Sequence, residues 1–169
     1  MSLVNGLPAH VLLVHFVVVL VPLTALALMV CAIWPKAAQR LGVVLPLLAL
    51  VTLASVPLTS NAGEWLEGHV DDNALVRRHA ELGDGLLPWA GGLFVLAVVV
   101  WWAIGRAAVS GTPDGTRRPA TLVRAAAAVL SLVVAAGAVV DVYRIGDSGA
   151  KAAWQDGYSK TASHGGDKG

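Results

Sequence analysis

The stretch VLLVHFVVVLVPLTALALMVCAIW, Val11–Trp34, decides the fold. It runs for 24 residues without a Lys, Arg, Asp or Glu, and only His15 and a few small residues interrupt it. A helix rises about 1.5 Å per residue, so about 20 apolar residues cross a hydrocarbon core about 30 Å thick. Three further runs have the same character. Leu41–Leu58 and Leu86–Ile104 are uncharged. Thr121–Val140 holds one charge, Arg124, one turn from its start, where a long side chain snorkels to the interface. The pattern predicts an all-α integral-membrane bundle of four transmembrane helices, at about 8–34, 41–66, 77–104 and 120–145. These form one domain over 1–150, and a polar tail follows over 151–169.

Composition agrees. Apolar types make up 56% of the 169 residues and charged types 14%, with a mean hydropathy of +0.69. An average soluble domain carries about 25% charged residues. Buried helices of a soluble bundle would need polar faces, and these runs lack them. The first run is longer than the apolar part of a signal peptide and no basic residue precedes it, so it reads as a retained helix. A formal net charge of +1 gives no pull toward nucleic acid. The single Cys31 forms no internal disulfide, no C-x-x-C-H haem-attachment motif is present, and Cys31 reads as a packing residue.

The loops set an orientation. Pro35–Arg40 and Gly105–Ala120, taken with Arg124, hold six of the twelve basic residues and one of the eleven acids. Cytoplasmic loops carry the excess of Lys and Arg, so both termini are expected outside. Trp34, Trp101 and Trp102 then lie at the inner interface, with Trp65 and Trp89 at the outer one, as anchors. Pro22, Pro46 and Pro57 invite kinks. Ala127, Ser131 and Ala135 form a small-residue ridge for close helix approach.

This topology places all five histidines and ten of the eleven acids on one side. Polar groups at membrane depth are costly and often functional. His15 lies near the outer end of the first helix, Glu64 ends the second, His79 precedes the third and Asp141 ends the fourth. Bundles build cofactor sites from side chains on facing helices. His15 and His79 are candidate axial ligands of a b-type haem. His10, His15, Glu64, His79 and Asp141 are candidates for a mixed nitrogen and oxygen metal site. A third reading is a structural hydrogen-bond network. His10 and His15, five apart, point about 140° away from each other on a helix. Asp141 and Arg144 have the spacing of an interfacial ion pair. His164 in the tail reads as a bystander. No catalytic residue is assigned, because no nucleophile–base pairing or phosphate loop is present.

Four motifs resemble a known family. GLPAHVLLVHF at Gly6–Phe16 is similar to the opening of bacterial membrane proteins of domain of unknown function 2231, which run G-L-P-x-H-P-L-x-V-H-F-P. Leu7, Pro8, His10, Val14, His15 and Phe16 match, while Val11 and Val17 replace prolines. AGEWLE at Ala62–Glu67 and RRHAELGD at Arg77–Asp84 resemble the second and third blocks. YRIGDSGAKAAW at Tyr143–Trp154 resembles the closing block, where a histidine often stands in the place of Asp147. The resemblance implies four membrane helices in the bacterial inner membrane, an outward cluster of polar motifs, and an association of some members with haem or electron transfer. With Asp147 there, His15 and His79 are left to carry any haem, and a harder metal ion is favoured.

The leading expectation is a small redox-associated subunit that binds haem b or a metal ion near the outer face. Its expected partners are the lipid bilayer and either redox-chain proteins or a second copy. The alternative is a non-catalytic scaffold whose polar cluster joins the helix ends. A transporter is disfavoured, because no acid or histidine lies at mid-membrane.

Overall fold

A computed structural model, which describes residues 3–4, 7–69, 74–109 and 117–154, shows an all-α bundle. An antiparallel pair of two-residue segments, Leu3–Val4 with Leu7–Pro8, precedes it. The helices are α1 (Ala9–Ile33), α2 (Pro35–Leu41), α3 (Val44–Glu67), α4 (Ala74–Asp84), α5 (Leu86–Val109) and α6 (Arg117–Trp154). Four spans, drawn from α1, α3, α4 with α5, and α6, are long and apolar enough to cross a membrane.

The helix boundaries depart from the expectation in three places, each for a local reason. The predicted loop Pro35–Arg40 is helical. Trp34 is extended, at φ −111° and ψ 99°, because a residue before proline is driven from the helical region. Pro35 then starts α2 at the position where its missing N–H costs nothing. Gly42 ends α2 at φ +51°, a backbone state that favours glycine. The predicted third helix is split at Gly85 into α4 and α5. The fourth continues to Trp154, so residues 151–154 of the predicted tail are helical. An Ala-rich sequence and an exposed Lys151–Asp147 pair at 2.6 Å, one turn apart, suit that extension. His164, Asp71, Asp72, Asp114 and the tail beyond Trp154 lie outside the described residues, as do the side chains of Arg106, Arg117, Arg118 and Arg124.

The bundle is apolar on the outside and small-residue within. Phe16, Val19, Leu26, Val95, Leu130 and Leu132 are exposed. The core holds Ala25, Ala49, Ala90, Ala97, Ala135 and Ala138 around Val21, Leu28, Leu45 and Leu93. Lipid tails are as apolar as leucine, so burying leucine gains little in a bilayer. Close backbone approach and hydrogen bonds hold such helices together instead. The predicted ridge serves packing within the chain, with Ser131 and Ala135 buried and Ala127 half-buried.

α6 packs along α1 and α5, and α3 lies between α1 and α5. A buried hydroxyl pair joins α1 to α3, with Thr24 Oγ1 2.7 Å from Thr52 Oγ1. Thr52 donates its own hydrogen to the Leu48 carbonyl, so Thr24 is the donor within the pair. Trp34, Trp101 and Trp102 are exposed, as interfacial anchors are. Trp89 differs from its expected anchor role. Its ring lies against Gly137 of α6, where a Cβ would come within 2.2 Å of it.

Candidate histidine site at one end of the bundle

α1 begins, α3 ends and α6 ends at the same end of the bundle, with α4 packed across α6 there. His10 sits in the first turn of α1 and is half-buried. Its Nδ1–H donates to the Thr59 carbonyl of α3 at 3.0 Å. His79 sits mid-way along α4 and is also half-buried. Its Nδ1–H is shared between the Ile145 carbonyl at 3.2 Å and Ser148 Oγ at 3.0 Å, both on α6. Ser148 in turn donates to Ile145 at 2.8 Å. The two rings meet edge to face, with centroids 6.1 Å apart and planes at 85°.

A carbonyl only accepts, so each histidine carries its hydrogen on Nδ1. When neutral, each ring then presents a lone pair at Nε2. Neither Nε2 bonds to a protein atom among the described residues.

Two glycines make room for the rings. A Cβ on Gly63 of α3 would come 3.0 Å from His10 Nδ1, and one on Gly149 of α6 would come 2.9 Å from His79 Cε1. The four sequence motifs therefore meet here. The first supplies His10, the second Gly63, the third His79, and the closing one Ile145, Ser148 and Gly149.

The other predicted site residues do not join the pair. His15 is exposed, with Nδ1 turned back to the Val11 carbonyl of its own helix. Its five-residue offset from His10 carries it off the inward face. Glu64 follows Gly63, which faces His10, and the next position on a helix turns outward. It is exposed. Asp141 is half-buried, one turn below Ile145, and its Oδ2 is buried without a hydrogen-bond partner among the described residues. Asp147 is exposed and paired with Lys151. His69 stacks on Trp65 at 4.0 Å. No group of three or more His, Cys, Asp or Glu side chains converges among the described residues.

Sequence reasoning missed Thr59, Gly63, Ser148 and Gly149. The glycines inside the second and closing motifs were the available signal, since a helical glycine marks close approach of another group.

The model of the family DUF2231, described as predicted membrane protein, matches residues 6–162. No curated protein and no solved structure matches the chain.

Proposed function

The chain belongs to the domain of unknown function 2231 family of predicted membrane proteins, and from that premise we propose that it is a small redox-associated membrane subunit with His10 and His79 as its working centre. The pair faces the outer side of the bacterial inner membrane, as the distribution of Lys and Arg among the loops favours. It takes haem b iron or a borderline transition-metal ion.

One observation carries this reading. Both imidazoles are fixed through Nδ1 to backbone carbonyls, which leaves Nε2 free for a ligand on each of two rings whose centroids are 6.1 Å apart. Metal-ligating histidines are oriented in this way by their outer hydrogen bonds. Imidazole suits iron, copper, nickel and zinc. With two protein ligands, a haem iron is satisfied by the porphyrin, and a free ion completes its shell with water. His15 and Glu64 are exposed and take no part. Both rings are half-buried, and limited solvent access tunes such a centre.

A second reading has its own observation. Each ring bonds to a helix other than its own, His10 tying α1 to α3 and His79 tying α4 to α6. That arrangement also describes a non-catalytic scaffold whose histidines latch the helix ends.

The absorbance spectrum and metal content of the protein purified in mild detergent separate the two. The redox reading expects a Soret band or stoichiometric metal, lost in His10→Ala and His79→Ala and kept in His15→Ala. A wild type with neither band nor metal, whose His10→Ala variant only melts earlier, is the latch.

A further inference from the structure

Asp141 and the break between α4 and α5 form a second polar locus, separate from the histidines. Asp141 Oδ2 is buried and makes no hydrogen bond among the described residues. An unmatched buried carboxyl oxygen is costly, and such groups in native proteins call for an ion, a proton or a water. The oxygen faces Gly85, the residue at which α4 stops and α5 starts. A Cβ on Gly85 would stand 3.2 Å from the Leu82 carbonyl oxygen and 3.7 Å from Asp141 Oδ2. The missing side chain thus leaves a gap that both oxygens border.

The Leu82 carbonyl accepts one hydrogen bond, from Gly85 N–H at 3.1 Å, and retains a second lone pair. It belongs to the last turn of α4, where unsatisfied carbonyls give a helix its negative end. Broken helices within membranes coordinate cations from unwound backbone carbonyls and half-helix C-terminal ends.

We propose that the α4–α5 break binds a sodium-sized monovalent cation between Asp141 Oδ2 and the Leu82 carbonyl, in the gap that Gly85 leaves. Oxygen donors select a hard cation. The charge count selects a monovalent one. Among the described residues Asp141 is the one carboxylate that borders the gap, while Glu81 and Asp84 of α4 are exposed. Arg144, three residues beyond Asp141, is exposed and already positive. A divalent ion would leave uncompensated charge in a medium of low dielectric. Water molecules complete the shell from the exposed side of Gly85. None of these groups is His10 or His79, so the inference does not depend on the histidine reading.

Thermal unfolding of the purified full chain tests it, with sodium chloride exchanged for choline chloride at constant ionic strength and pH. A ligand that binds only the folded state raises Tm in a saturable way. The expected result is such a rise with sodium, absent in Asp141→Asn. In Gly85→Ala, whose methyl group enters the gap and leaves the carboxylate in place, the half-saturating sodium concentration rises at least tenfold. Equal Tm in sodium and choline overturns the proposal. So does a Tm that rises on acidification and ignores sodium, because the occupant is then a proton. Both overturning results are read on the unmodified chain and stand even where a variant fails to fold. Haem or metal content at the histidines that persists in Asp141→Asn marks the two sites as separate.

Discussion

The ring of His10 meets the ring of His79 edge to face at 85°, with centroids 6.1 Å apart. Each ring is anchored to a further helix, so this contact ties the ends of α1, α3, α4 and α6 together. The relationship makes His10, and not His15, the histidine of α1 on which the end of the bundle depends.

Removal of His10 therefore costs more than removal of His15. His10→Ala leaves the Thr59 carbonyl without its 3.0 Å donor in a half-buried setting. The carbonyl keeps its place in the helical ladder of α3, so the loss expected is the net worth of one hydrogen bond, about 0.5–1.5 kcal/mol. His15 is exposed and bonds only its own helix, so His15→Ala stays within about 0.5 kcal/mol. Tm values of the two variants in one detergent check the order.

The glycines that seat the rings should resist enlargement. A methyl group on Gly63 meets His10 at 3.0 Å, and one on Gly149 meets His79 at 2.9 Å. Gly63→Ala and Gly149→Ala are each expected to destabilise by about 1–3 kcal/mol through overpacking. Gly146 lies in the same helix as Gly149 with nothing within 4 Å of its absent Cβ. Gly146→Ala is expected to stabilise by up to about 1 kcal/mol, the helix propensity gained. Thermal melts of the three variants suffice.

Gly137 and Trp89 act as one unit. An added Cβ at Gly137 stands 2.2 Å from a carbon of the Trp89 ring, so Gly137→Ala displaces the indole and costs about 1–3 kcal/mol. Trp89→Leu vacates the contact. In that background Gly137→Ala should cost clearly less, a coupling of about 0.5–3 kcal/mol in a double-mutant cycle.

The hydroxyl pair at Thr24 and Thr52 is directional, and its variants should be unequal. Thr24→Val leaves Thr52 bonded to Leu48. Thr52→Val strands the Thr24 hydroxyl, which is fully buried. The second is expected to cost more. The pairwise coupling is expected near about 0.6 kcal/mol and below about 1.7 kcal/mol, the range for interhelical hydrogen bonds in membranes. Unfolding in mixed micelles, with both single variants and the double, measures both quantities.

The four spans were legible in the chain because the bilayer imposes a length and a polarity that any 20-residue window reveals. Val11–Trp34, Leu41–Leu58, Leu86–Ile104 and Thr121–Val140 needed no knowledge of their neighbours. The four motifs were legible too. Their meeting place at one end of the bundle followed from the direction in which each span crosses. The local breaks were less visible. Trp34–Pro35 and Gly42 carry ordinary stop signals, and the short helix between them hid behind its loop-like composition.

What the sequence by itself determined is therefore a helical membrane bundle that brings His10, His15, Glu64, His79 and Asp141 toward one end. The tertiary structure decided which of them touch. Helix rotation about its own axis is set by packing, through pairs such as Gly137 with Trp89 and Gly92 with Val134, and a hydropathy run that is apolar on every side carries no record of that angle. Rotation turned His10 inward and His15 outward, put Gly63 and not Glu64 against the pair, and aimed Asp141 at the gap beside Gly85.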